Sequence, residues 1–127
     1  YFVDIKTTKS DIDSMVWVQD EASGRNIQVR WFEAWGYVLQ MAAYKKMLKE
    51  QYGKEFTPVI YAVTKESTPD TRAIAFESQE ILDYELTKLS MLIQRLDKVK
   101  LGEEKATPCG HCEYCKSKAL TLRVEVI

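Results

Sequence analysis

The stretch from Gln28 to Tyr52 constrains the fold most, because it is free of proline, spaced for a helix and followed by Gly53 as a stop. At about 100° per residue, Trp31, Trp35, Val38, Leu39 and Ala42 gather on one side of that helix. Glu33, Tyr37, Gln40 and Tyr44 gather on the other. One face is built for packing, and the opposite one carries side chains with hydrogen-bonding chemistry.

β-biased runs flank this helix. Tyr1 to Lys6 (YFVDIK) reads as a strand running into the polar, cap-like stretch Thr7 to Asp11. Asp11 to Gln28 is expected to be a short helix or irregular segment and then a loop at Ala22 to Asn26. Phe56 to Thr64 and Arg72 to Phe76 predict a hairpin across the Ser67-Thr68-Pro69-Asp70 turn. A second helix is expected from Ser78 to Leu101, with Ile81, Leu82, Leu86, Leu89, Leu92, Ile93 and Leu96 recurring at threes and fours and Gly102 at its end. A polar linker, 103–108, leads into a cysteine cluster, and Leu120 to Ile127 alternates as a final strand. The expected organisation is a core over residues 1–101, then 102–127 with the cysteines and the terminal strand. Because the first residue is Tyr1, inside what reads as a strand, the chain is expected to begin within a larger protein, incomplete at its N-terminus.

With 127 residues, of which 46% are hydrophobic, the chain is sized for one domain or part of one. No run approaches the roughly 18 apolar residues of a membrane span, and no secretory leader is visible. The expectation is a soluble, cytoplasmic protein with no membrane partner. A net charge of −1 lacks the overall basic excess of many nucleic-acid binders, although phosphate contacts need only a local basic stripe. The three cysteines fall between Cys109 and Cys115, an odd number that argues against a disulfide framework and for a reduced compartment with metal binding.

Asp4 and Lys6 are two positions apart on the first strand, so their side chains emerge on one face. A carboxylate beside an ammonium suits Mg²⁺-assisted phosphodiester hydrolysis, the first holding metal and the second assisting water and offsetting transition-state charge. Taken alone, the D-x-K step is a weak motif and reads as a solvated surface pair. Gln40 and Tyr44, one helical turn apart, supply its context.

In VDIKTTKS followed by GYVLQMAAYKKM, the sequence resembles the RecB-like branch of the PD-(D/E)xK nucleases, especially phage-type exonucleases. In that family a strand bearing (D/E)-x-K precedes a helix bearing Q-x-x-x-Y. The resemblance implies an α/β fold, a restriction-endonuclease-like mixed sheet flanked by helices, and a DNA exonuclease, a hydrolase using Mg²⁺ or Mn²⁺. It implies that Asp4 and the main-chain carbonyl of Ile5 ligate metal, Lys6 assists the attacking water, and Gln40 and Tyr44 orient the site. Tyr37, on the same helix face, and Lys65, in VIYAVTKESTPD, would contact DNA, and Glu33 would add a carboxylate. A homo-oligomer or a phage recombination partner would fit the same family. The upstream acidic residue of the family's metal site has no counterpart here, so Asp4 and Lys6 amount to half a site. Either a longer natural protein supplies the rest, or this piece is catalytically inert by itself.

Pro108-Cys109-Gly110-His111-Cys112-Glu113-Tyr114-Cys115 has C-x2-C-x2-C spacing, which can wrap one soft metal ion or a cluster. Certain RecB-like nucleases similarly close their domain with C-terminal cysteines that join an upstream cysteine around an iron-sulfur cluster. Here there is no fourth cysteine, and His111 is a local candidate for a zinc set. Zn²⁺, an iron-sulfur cluster and unliganded thiols in a loop all remain open. A different class of function also remains: a non-catalytic zinc-knuckle module binding nucleic acid or protein, in which Asp4 and Lys6 would be dispensable.

Overall fold

In the computed structural model, residues 1–9, 11–20, 23–110 and 112–118 are described. The chain forms β1 (Phe2–Thr8), β2 (Met15–Gln19), β3 (Asn26–Arg30), α1 (Trp31–Ala34), α2 (Tyr37–Tyr52), β4 (Pro58–Thr64), β5 (Thr71–Ala75), α3 (Gln79–Lys100) and α4 (Glu113–Lys118). It divides into two compact units, 1–91 and 92–127. The architecture is mixed α/β, a sheet accompanied by helices, as the family resemblance implies.

The central sheet has the order β1-β4-β5. β1 lies parallel to β4, which requires the long crossover through β2, β3, α1 and α2, whereas β4 and β5 form the expected antiparallel hairpin. β4 is the middle strand and is buried at Pro58, Val59, Ile60, Ala62 and Thr64. Along β1, Phe2, Asp4, Lys6 and Thr8 are half-buried while Val3, Ile5 and Thr7 are exposed. One face of the sheet is therefore covered, and it is the face that carries Asp4 and Lys6.

That cover is the crossover. Trp31, Phe32, Val38, Met41 and Ala42 pack with Ile12, Ile60, Ala62 and Leu82 in a single apolar core. Trp31 meets Phe32 and Tyr37 edge-on, at ring separations of 5.6 and 6.0 Å, and its buried indole N–H donates to the Ile12 carbonyl at 2.9 Å. A buried donor is thereby satisfied while the ring anchors α1 beneath the sheet.

Two local expectations are corrected, whereas the second long helix stands where it is expected, as α3. Met15 to Arg30 is a β-hairpin, not a helix or irregular segment: Val16 and Val18 are half-buried against exposed Met15, Trp17 and Gln19, and Gly24 takes a left-handed turn conformation at φ 68°. The Gln28–Tyr52 helix begins only at Trp31 and breaks at Gly36, which sits at φ 70° and separates α1 from α2. Trp35 is consequently displaced from the packing face and is 66% exposed. Along α3 only Leu82 is fully buried, and Ile81, Leu92, Ile93 and Leu96 are exposed. Apolar spacing records which side chains share a helix face, not whether anything covers it. The expected strand from Leu120 to Ile127 lies outside the described residues, as does His111.

Candidate active site

Asp4 and Lys6 share one face of β1 because strand side chains alternate. Lys6 Nζ stands 2.8 Å from Asp4 Oδ2, with the two side chains 16% and 29% exposed. The contact is an ion pair without hydrogen-bond alignment: Oδ2 is a buried oxygen that accepts no aligned hydrogen bond among the described residues. The same ammonium lies over the Tyr37 ring, 4.3 Å from its centroid, which joins β1 to the first turn of α2.

From Tyr37 the site continues along the helix. Tyr37, Gln40 and Tyr44 fall within an arc of about 60° at 100° per residue. The Gln40 amide donates to the Tyr44 hydroxyl at 2.9 Å, which leaves the buried Gln40 Oε1 with no hydrogen-bond partner among the described residues. Thus Asp4, Lys6 and Tyr37 form one chain of contacts, and Gln40 and Tyr44 follow on the face that Tyr37 begins. Glu33 is not on that face. It belongs to α1, where its carboxylate accepts the Arg30 backbone N–H at 2.8 Å and caps the short helix.

The backbone of β1 adds a further group. In a parallel ladder both main-chain groups of alternate residues turn toward the same neighbour. Phe2 N–H donates to the Thr57 carbonyl, and the Thr8 carbonyl accepts from Lys65 N–H, so the even-numbered residues face β4. The carbonyl of Ile5 therefore points to the opposite edge, where no strand pairs with β1 among the described residues. Lys65 itself is exposed just beyond β4, its backbone tied to the end of β1 at 2.9 Å.

A basic group that sequence spacing did not single out lies on the same face. Lys6 is opposite Ala62 and Ala62 is opposite Arg72, so Lys6 and Arg72 occupy one row across the sheet, about 10 Å apart at 4.8 Å per strand. Arg72 and Arg30 both contact Asp13 Oδ1, Arg30 at 3.2 Å. The Arg72 hydrogen bond, reinforced by the charges of Arg72 and Arg30, holds the Asp13 carboxyl below the usual aspartate range despite some desolvation. That carboxylate is committed to two guanidinium groups and is not a spare metal ligand. The sequence signal was Arg72 in the RAIAF run, but its neighbour Lys6 is identifiable only from the register.

The three cysteine sulfurs lie within 4.8 Å of one another in the second unit. Cys109 and Cys115 sulfurs stand 3.8 Å apart, too far for a disulfide bond. A backbone hydrogen bond from Gly110 favours the Cys115 thiolate, but the adjoining Cys112 and Cys109 sulfurs and desolvation outweigh it and raise that thiol.

Residues 1–118 match the family model of a PDDEXK-like domain of unknown function (DUF3799). The chain belongs to that family. The chain is also similar to the crystal structure of a candidate exonuclease from Eubacterium rectale, with 28% identity and a TM-score of 0.75 over 98% of this chain. It spans 44% of that protein's length. No curated protein matches the chain. Among the described residues, no helix is long and apolar enough to cross a membrane.

Proposed function

We propose that this PDDEXK-like chain is the part of a metal-dependent DNA exonuclease that carries the D-x-K strand and the Q-x-x-x-Y helix. The observation that carries the reading is the contact chain from Asp4 through Lys6 to Tyr37, which sets a carboxylate, an ammonium and the Gln40–Tyr44 face on one side of a covered sheet. The donor set fits a hard divalent cation: among the described residues Asp4 Oδ2, which meets Lys6 only as an ion pair, and Gln40 Oε1 are buried oxygens without hydrogen-bond partners, and the Ile5 carbonyl faces a strand edge with no paired strand. Asp4 and the Ile5 carbonyl would hold Mg²⁺ or Mn²⁺. When bound, the ion supplies Lewis-acid polarisation and lowers the pKa of bound water.

The chain's own groups have separate tasks. Lys6, held by Asp4 and by the Tyr37 ring, is oriented to place positive charge beside the attacked phosphate and to assist the water. Gln40 and Tyr44 hold one another in a fixed geometry and position the site. Tyr37, Lys65 and Arg72 contact the DNA backbone, where phosphate contacts fix register without reading sequence. The small net charge is compatible with this because the cations are local to one face and one sheet end.

The test is hydrolysis of linear duplex DNA by the protein at its full natural length, with Mg²⁺ or Mn²⁺, for wild type, Asp4→Ala and Lys6→Ala. Both variants are expected to fall at least about 100-fold, as for removal of an electrostatic catalytic group. Cleavage unchanged in both refutes the assignment. The converging cysteines favour a second reading, a zinc-knuckle binding module. Under it, DNA or protein affinity follows Cys109, Cys112 and Cys115 and ignores Asp4 and Lys6.

A further inference from the structure

We infer that Cys109, Cys112 and Cys115 form a tripod for one thiophilic metal ion, Zn²⁺ in kind, which fastens the second unit rather than taking part in hydrolysis. All three sulfurs lie within 4.8 Å of one another, and the Cys109–Cys115 separation is 3.8 Å. With Zn–S bonds of about 2.3 Å, two sulfurs on one tetrahedral ion stand about 3.8 Å apart. The tripod is therefore already near the edge length of a single ion's coordination sphere.

The backbone around the thiols supports the same state. The Cys112 N–H donates to Cys109 Sγ at 3.3 Å and the Cys115 N–H to Cys112 Sγ at 3.4 Å, each from three residues downstream. Such donors favour sulfur carrying negative charge. They also fix the two successive turns that bring the side chains together. Three thiolates this close repel one another, and a bound cation removes that repulsion.

Spacing separates one ion from a cubane cluster. Each cysteine of a [4Fe–4S] cluster binds a different iron, which spreads the sulfurs beyond the edge of one tetrahedron. The Cys109–Cys115 separation of 3.8 Å is that of two ligands on one ion.

The need for a metal follows from what surrounds the cysteines. α4, Glu113–Lys118, has no buried residue, and Tyr114 is exposed. Among the described residues, no apolar packing holds this helix. A structural metal is the usual substitute for a core in so small an element, and its binding energy becomes folding energy.

The test uses the protein at its full natural length, purified reduced and metal-free, and titrated separately with Zn²⁺ and Co²⁺. One equivalent of Co²⁺ is expected to give thiolate-to-cobalt charge transfer and the intense visible bands of a tetrahedral site. Zn²⁺ is expected to displace it and to slow tryptic cleavage at Lys116 and Lys118 at least tenfold. Each single Cys→Ser variant should bind more than about 100-fold more weakly, beyond the effect of losing an outer-shell partner. Binding retained when all three cysteines are changed to serine, an octahedral cobalt spectrum, or no protection by Zn²⁺ overturns the inference. So does protein isolated with iron and stoichiometric inorganic sulfide. These readouts involve no DNA cleavage, so failure of the tripod and failure of the nuclease reading are distinguishable.

Discussion

Replacing Gly36 by alanine tests the break that separates α1 from α2. Gly36 sits at φ 70° and ψ 21°, and an added Cβ would meet no atom within 4 Å. Steric crowding with the rest of the protein therefore contributes nothing, and the penalty is that of a left-handed conformation for an L-residue, about 1–2 kcal/mol. Reduced freedom of the unfolded chain offsets about 0.4–1 kcal/mol of it. The net expectation for Gly36→Ala is destabilisation by about 1 kcal/mol, with Gly36→Asn closer to wild type because asparagine tolerates this region. In an uninterrupted helix from Gln28 to Tyr52 the sign would be reversed, since alanine there is about 1 kcal/mol better than glycine. Urea unfolding followed by tryptophan fluorescence reads the difference, because Trp17, Trp31 and Trp35 all lie in the unit 1–91. With a urea slope of about 2 kcal/mol per molar, the midpoint should fall by about 0.5 M. An unchanged or raised midpoint for Gly36→Ala would refute the break.

Other consequences follow from burial and charge. Met41 is fully buried between α2 and the sheet, so Met41→Ala should destabilise by about 2–5 kcal/mol in the same urea assay, and a loss below about 1 kcal/mol would show a loosely packed core. Gln40→Leu removes an unsatisfied buried oxygen, so stability should stay within about 1 kcal/mol of wild type while cleavage by the full-length protein falls; destabilisation beyond about 2 kcal/mol would make Gln40 a structural residue. The Asp13 carboxyl should titrate below the ordinary aspartate value of about 3.9 in a carbon-13 NMR titration, and Arg72→Ala should return it toward that value. Because its folded pKa is lowered, the stability Asp13 contributes is present above the ordinary value and lost as pH falls through the folded one. A wild-type midpoint at or above 3.9 would count against the Arg72 contact.

The sequence by itself determined the features that depend on local periodicity. Alternation put Asp4 and Lys6 on one face of a strand, a proline-free run with 3.6-residue spacing put Tyr37, Gln40 and Tyr44 on one face of a helix, and a proline-bearing turn between two β-biased runs gave the β4–β5 hairpin. C-x2-C-x2-C spacing likewise placed three sulfurs within reach of one another. Local signals failed where two conformations compete over short stretches. Met15–Arg30 is a hairpin because paired strands satisfy its backbone, and Trp31–Tyr37 is broken because glycine can adopt a left-handed angle that spacing does not reveal.

Tertiary structure decided everything that depends on register between distant segments. The parallel pairing of β1 with β4 turned the Ile5 carbonyl to a strand edge and set Lys6 and Arg72 in one row. Packing of α2 under the sheet brought the Tyr37 ring against Lys6, and Asp13 gathered Arg30 and Arg72 from separate strands. The physical reason is that spacing along a chain fixes which side chains share a face, whereas burial and hydrogen-bond register between segments decide which faces meet.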